Sequence, residues 1–427
     1  MKRRTRLVFY TSCVVAALFM VGSVLYHNAQ PSPKRLLEPV SVDMGTQDEA
    51  FMRTMGLLLE QPLESGNRID PFTDGEAIYD AMLAAIASAE SSITFETYEF
   101  WGATAADPFV EALSAAAERG VAVHALIDYV GSVPAAQGKF ERLEAAGVDV
   151  IRWRKPAWYE LSRFNHRTHR KLLVVDGHTG FIGGANVTDS WLPEGDDVGY
   201  RDHHFRVRGP VVGNMQAAFV DTWLDASGRL LLGERYFPEL SEEGDVTAQM
   251  VTSTPLEGRH RMRKMLMLVI ASAQEHITLG SAYFYPDEQF LQALIEARER
   301  GVEITILVPG DSIDKGFVRH ASVNRWRPML EAGVAFYEYQ PAMYHAKLIS
   351  VDDRFASIGS TNLDNRSFRI NQEGNLNVYD EEFARYVRLL VEEDLQQAER
   401  YDLERWENRP WRKRVAGWLS MLVGAHL

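Results

Sequence analysis

Apolar residues change their period along the chain in a set order, and they do so twice. Over 76–90, and again over about 260–274, they recur at the spacing of a helix with one buried face. Each stretch leads into a short run rich in β-branched and aromatic residues, ITFETYEF (93–100) and ITLGSAYF (277–284), which reads as a strand. Helical spacing returns in DPFVEALSAAAERG (107–120) and DEQFLQALIEARERG (287–301), each closed by the glycine that a left-handed helix end favours. Strands VAVHALID (121–128) and VEITILVP (302–309) follow, then a helix ending at Gly147 or Gly333, then a pair of strands. Strands alternating with helices predict α/β layers around a mixed or parallel sheet.

The two series match residue for residue at their polar positions. His169, Lys171, Asp176, Gly183 and Asn186 fall on His345, Lys347, Asp352, Gly359 and Asn362, all at an offset of 176. Upstream matches, such as LEAAGV (143–148) with MLEAGV (329–334), let the offset drift only to 186, as surface-loop insertions would. The expected organisation is a basic segment and anchor (1–26), a polar lead-in (27–75), a first half (76–231), a linker (232–247), a second half (248–400) and an amphipathic tail (401–427).

Composition changes this picture at the ends more than in the middle. With 427 residues and 46% hydrophobic content, two domain-sized cores or one large pseudo-symmetric unit can be built. A net charge of −14 argues against a dedicated nucleic-acid binder, and the single cysteine, Cys13, excludes an intrachain disulfide. Lys2, Arg3, Arg4 and Arg6 precede an uncharged run over 7–26 that is long enough to span a bilayer. The best cleavage position, after Ala29, has His27 where a small residue is needed, so an uncleaved single-pass anchor is the favoured reading. Charge asymmetry puts its N-terminus in the cytoplasm and the body on the outer face of that membrane. At the other end, 409–427 reads either as a helix lying in the membrane interface, with Trp411 and Trp418 at headgroup level, or as a helix docked on the core.

The repeated motif carries the chemistry. In HRKLLVVD (169–176) read as a strand, His169 and Lys171 share a face, while Asp176 points the other way. DGHTG turns the chain, and FIGGAN returns it with Asn186 near the His/Lys face; HAKLISVD and SIGSTN repeat the arrangement. A neutral imidazole can attack phosphorus, and an ammonium with a carboxamide can hold phosphate oxygens. One imidazole cannot easily attack phosphorus and also protonate the alcohol leaving on the far side. Two imidazoles, brought face to face between the halves, can. Each His has a Lys beside it, and that charge would repel a metal ion, so no metal and no cofactor is expected.

The pair HxKxxxxD…GGxN and HxKxxxxD…GSxN resembles the phospholipase D superfamily, and within it the chain looks most like bacterial cardiolipin synthases. The likeness runs from about residue 66 to about 400 and includes TYEF (97–100), YRDHHFRVRGP (200–210) and GSTNLDNRS (359–367). It implies two phospholipase D-like α/β sandwich halves with mixed sheets, and a phosphatidyl transfer through a phosphohistidine. His169 is then the nucleophile and His345 the acid and base. Lys171, Lys347, Asn186 and Asn362 would bind phosphate. Asp176 and Asp352 belong to the family motif but read as structural, pairing with cations outside the pocket. A carboxylate downstream of the motif commonly orients the His in this superfamily, which points to Asp202 and Glu373. The neighbouring His203 and His204 face opposite ways and read as structural.

The resemblance implies joining of two phosphatidylglycerols into cardiolipin, with release of glycerol. Hydrolysis of phospholipid, transfer from another phospholipid donor, and a nuclease-type phosphodiesterase remain alternatives. The expected partners are an anionic phospholipid substrate and a bilayer, with no nucleic acid. A basic and aromatic stretch over 151–171 (Arg152, Arg154, Lys155, Arg163, Arg167, Arg170 and Lys171 among Trp153, Trp158 and Tyr159) reads as a headgroup-capturing patch or as a solvated face.

Overall fold

The computed structural model describes residues 40–155, 166–195, 197–254 and 260–421, with Tyr10, Thr11, Ser12, Val15, Phe19 and Gly22. The expected anchor over 7–26 therefore lies mostly outside the described residues. Among the described residues no helix is long and apolar enough to cross a membrane.

The first half contributes strands β1 (Glu64–Thr73), β2 (Ser92–Thr97), β3 (Ala122–Asp128), β4 (Asp149–Trp153), β5 (Leu172–Val175), β6 (Thr179–Gly183) and β7 (His203–Arg208). The second contributes β8 (Val246–Ser253), β9 (His276–Ser281), β10 (Phe284–Tyr285), β11 (Glu303–Pro309), β12 (Ala335–Tyr339), β13 (Lys347–Val351), β14 (Phe355–Gly359), β15 (Leu363–Asp364), β16 (Glu373–Val378) and β17 (Ala398–Tyr401). Fifteen of these form one sheet in the order β17-β12-β11-β9-β13-β14-β16-β8-β1-β7-β6-β5-β2-β3-β4. Read from either end, apart from β17, the order is one plan written twice, meeting where β1 and β8 pair antiparallel. Each half is mixed: β2–β3–β4 and β9–β11–β12 run parallel, β5 and β13 pair antiparallel to β2 and β9, and β6 and β14 turn back antiparallel to β5 and β13.

Helices cover both faces, so the central strands are buried on both sides and read as continuous apolar runs. Leu172 and Val174 of β5 enter one core cluster, Leu173 and Val175 another. The first of these clusters is shared between the halves: Phe205 packs edge-on against Phe383, with ring centroids 5.9 Å apart. The halves are thus joined by a shared core cluster as well as by the sheet.

Observed helices Gly75–Ser88, Ala106–Glu118, Arg261–Ser272 and Glu288–Glu299 fall where the apolar spacing predicts them. Gly120 and Gly301, after the second helix of each half, take φ of +93° and +101°, a conformation natural to glycine. The segment expected as a lead-in contains more. Helix Glu49–Leu59 buries Phe51, Met55 and Leu59 in the second half's core, and β1 is the first half's inner strand. Likewise β8 begins inside the expected linker.

Candidate active site

The hairpins β5–β6 and β13–β14 present the two motifs toward one another from either side of the seam. His169 lies just before β5. Its backbone N–H donates to Gln372 O at 2.8 Å, and Gln372 N donates to Arg167 O at 2.9 Å. The second half mirrors this: His345 N donates to Arg201 O at 2.7 Å, and Arg201 N to Met343 O at 2.9 Å. Each histidine is thus held by the backbone of the opposite half.

The side chains are crossed in the same way. His169 Nδ1 meets Glu373 Oε2 at 3.0 Å, and His345 Nδ1 meets Asp202 Oδ2 at 2.9 Å. Sequence spacing counts each carboxylate from the motif of its own half; the fold gives each to the other half's histidine. With Nδ1–H directed at a carboxylate, Nε2 is the nitrogen left for chemistry. The carboxylates are themselves held. Glu373 accepts from Ser360 Oγ at 2.6 Å and Asn371 Nδ2 at 3.3 Å, and Asp202 accepts from Trp191 Nε1 at 3.0 Å and His203 N at 2.8 Å. Gly184 stands where the second half has Ser360, and a Cβ there would lie 2.3 Å from Asp202 Oδ1. The two supports are therefore built differently.

Burial sets the charge states. It pulls His169 down to about 4, against the upward pull of Glu373. It also takes His345 well below the usual histidine value, helped by Lys347 and Lys171. The lysines respond to the same desolvation, Lys171 falling to about 7 and Lys347 to about 8. Burial raises Asp202. On Glu373, burial is outweighed by His169 and Lys171, so its carboxyl falls below the usual range. Each ammonium is fixed by its own motif: Lys171 Nζ donates to His169 O at 2.7 Å, and Lys347 Nζ to His345 O. Lys347 Nζ also lies 2.9 Å from His345 Nδ1.

Asn186 and Asn362 are buried but not equivalent. Asn186 donates to Glu99 Oε2 at 3.2 Å and accepts from Glu99 N at 3.1 Å. Asn362 Oδ1 is buried without a hydrogen-bond partner among the described residues. Asp176 and Asp352 lie outside the cleft, in left-handed turns with φ of 53° and 55°. Among the described residues they do not pair with cations. Asp176 accepts from the backbone N–H groups of Glu90, Ser91 and Ser92, and Asp352 from those of Gln274, Glu275 and His276 and from Thr46 Oγ1. Each carboxylate thus fastens the motif hairpin to the start of the neighbouring strand, β2 or β9.

His203 bridges Thr73 Oγ1 at 3.1 Å and Asp394 Oδ2 at 3.3 Å, and His204 is buried with neither ring nitrogen bonded among the described residues. The basic stretch is not one surface. Arg163, Trp158 and Tyr159 lie outside the described residues, while Arg167, Arg170 and Lys171 are buried. Arg170 donates to Glu373 O, Ala218 O and Thr222 Oγ1, which makes it a brace behind the site.

Sequence reading missed the aromatic walls. Tyr98 lies tilted on His169 at 5.5 Å, Trp191 stands edge-on to His345 at 4.9 Å, and Tyr200 stacks beside it at 6.1 Å. Tyr98 sits in the conspicuous TYEF run, but no spacing rule points to Trp191. Among the described residues no group of three or more His, Cys, Asp or Glu could hold a metal ion.

The model of the cardiolipin synthase, phospholipase D-like domain matches residues 82–206 and 266–395, once per half. Cardiolipin synthase 1 of Staphylococcus epidermidis is 34% identical over 374 residues, 86% of this chain and 76% of its own. A cardiolipin synthase of Geobacillus kaustophilus is 33% identical over 94% of this chain and 80% of its own. Among solved structures, phosphatidylserine synthase of Haemophilus influenzae superposes with a TM-score of 0.67 at 15% identity, covering 88% of this chain and all of that one, which is a likeness of fold.

Proposed function

The chain belongs to the cardiolipin synthase family of phospholipase D-like proteins, and from that premise we propose that it joins two phosphatidylglycerols into cardiolipin and glycerol. The observation that carries the reading is the crossed pairing of two buried imidazoles with two buried carboxylates.

In the first step the neutral Nε2 of His169 attacks the phosphorus of one phosphatidylglycerol. The bond from phosphorus to the glycerol headgroup breaks, and His345, protonated for this step, gives its proton to the leaving oxygen. A phosphatidyl–histidine and free glycerol result. In the second step the terminal hydroxyl of another phosphatidylglycerol enters, His345 takes its proton, and the oxygen attacks the same phosphorus. The P–N bond breaks, cardiolipin forms and His169 is restored. Lys171 and Lys347 neutralise the phosphate, and its negative charge in turn favours their protonated forms and that of His345. Asn186 and Asn362 complete the clamp; the open Oδ1 of Asn362 suits a hydroxyl donor better than a phosphate oxygen. Tyr98, Trp191 and Tyr200 narrow the approach and keep water from competing with the lipid hydroxyl. An anchor over 7–26, with the body on the periplasmic face, would hold the site at its substrate.

The test is incubation of detergent-solubilised full-chain protein with labelled phosphatidylglycerol, followed by lipid separation. Cardiolipin and glycerol are expected. Phosphatidic acid as the main product would make the protein a hydrolase, and cleavage of single-stranded DNA without lipid turnover would sink the reading.

A further inference from the structure

A second cationic cavity lies outside the cleft. It measures 220 Å³ and is lined by Arg319, Arg405, Arg409 and Lys413, with His320 and Tyr401 among its other walls. No carboxylate lines it. The acids that answer these cations stand behind or at the rim. Glu338 is fully buried and holds Arg319 at 2.6 Å and Arg405 at 3.0 Å. Asp311, largely exposed, reaches Arg319 at 2.9 Å and Lys413 at 3.7 Å. Glu399 meets Arg405 from the surface. Arg409 is left over. Its Nη1 donates to Asn324 Oδ1 at 3.0 Å and its Nε to Trp406 O at 2.8 Å, and the guanidinium lies 4.0 Å from the Trp406 ring centre. No carboxylate among the described residues pairs with it. Burial pulls Arg409 below its ordinary value, and burial with Arg319 and Lys413 does the same to His320, as in a wall that wants an anion.

The surroundings say which anion. Helix Trp411–Met421 begins at the cavity wall, adding the partial positive charge of its N-terminus. It docks on helix Gly316–Asn324 through Gly417, where a Cβ would come within 2.4 Å of Asn324 Nδ2. The opposite stripe, Trp411, Val415, Trp418 and Leu419 at helical spacing, is 47–69% exposed, and Phe317 of the neighbouring helix is 47% exposed. Exposed tryptophan and leucine beside a cationic wall are the marks of a helix lying in a membrane interface, the depth at which lipid phosphates sit. At 220 Å³ the cavity has room for a phosphate headgroup.

We propose that this cavity is a non-catalytic site for the phosphate group of a bilayer phospholipid, seated with its acyl chains in the membrane that the Trp411–Met421 helix touches. Packing runs from the end of this helix to the cleft. Met421 packs against the cluster of Ala282, Tyr283, Val318 and Met343, in which Tyr200 also packs, and Tyr200 lies beside His345.

The test is equilibrium binding of monomeric dihexanoylphosphatidylglycerol, followed by calorimetry on the full chain carrying His169→Ala to stop turnover. The parent should bind at the cleft and at the cavity. Adding Arg409→Ala and Lys413→Ala should weaken one event about tenfold or more and leave the other. Arg409→Lys, which keeps the charge, should restore most of it and shows that loss is not misfolding. An unchanged isotherm in the double variant overturns the proposal. So does inorganic phosphate that displaces the lipid from the cavity at equal concentration, since the cavity would then be a site for free phosphate. The readout needs no turnover, so its failure and that of the synthase reading are told apart.

Discussion

At the residue scale the proposed mechanism divides the labour between two histidines, each paired with a carboxylate from across the seam. Three predictions belong here. His169→Ala should abolish a trapped covalent phosphate adduct, whereas His345→Ala should let it form slowly and persist; acid-quenched labelling distinguishes them. The crossed carboxylates extend this. Glu373→Gln should slow formation of the adduct and Asp202→Asn its resolution, each by about 10–100-fold, the usual effect of removing a group that orients a ligand or catalytic imidazole. If each variant instead affects the histidine of its own half, the crossing has no catalytic meaning. The third concerns pH. Burial holds His169 near 4, so the nucleophile stays neutral far below the ordinary 6.5, and kcat/KM should keep its acid side there. His345, which must carry a proton in the first step, is held well below the ordinary histidine value in the free enzyme, so kcat/KM should already fall on the alkaline side below pH 6.5, before Lys171 and Lys347, at about 7 and 8, lose their charge. Bound phosphate favours the charged ammoniums, so the alkaline limb of kcat should lie higher than that of kcat/KM.

At the element scale the two hairpins are held at both ends. The histidine end is fixed by the opposite half and the turn end by Asp176 or Asp352. Asp176→Ala or Asp352→Ala strips the partners from a row of partly buried N–H groups. Each should cost about 2 kcal/mol of stability, read from denaturant midpoints, while kcat per folded molecule changes little. This end was only half legible in the sequence. Strand alternation puts the aspartates outside the pocket, which is where they are. It does not say what they meet there, because backbone amides leave no mark in a residue string. The hairpins, the helices and their closing glycines were legible because each follows a local period or a local φ requirement. Strand β1 was not, since Glu64–Thr73 reads ESGNRIDPFT, with polar residues and a proline masking its place at the seam. The crossing of the carboxylates was hidden for a related reason. Counting from a motif measures sequence distance, and Glu373 is 204 residues from the histidine it serves.

At the scale of the whole molecule, the halves share a fifteen-stranded sheet and a core cluster, and one chain brings both motifs of the proposed site together. Mixing His169→Ala protein with His345→Ala protein should give no recovery of cardiolipin synthesis, since each site forms within its own chain. Recovery would mean that sites are completed between chains. The motif carries the doubling in its letters. Its geometric result, a seam at β1 and β8 with a histidine on either side, is a fact of three dimensions that no single motif records.

The crossing also has a meaning for a chain still being made. His169 leaves the ribosome long before Glu373 exists, with neither its carboxylate nor the second imidazole. A half-made or truncated product therefore carries a recognisable motif and an inert one. A protein proposed to break and remake the phosphodiester bonds of lipids would then have no complete site until β16 is in place, and the order of translation sets when that site first exists.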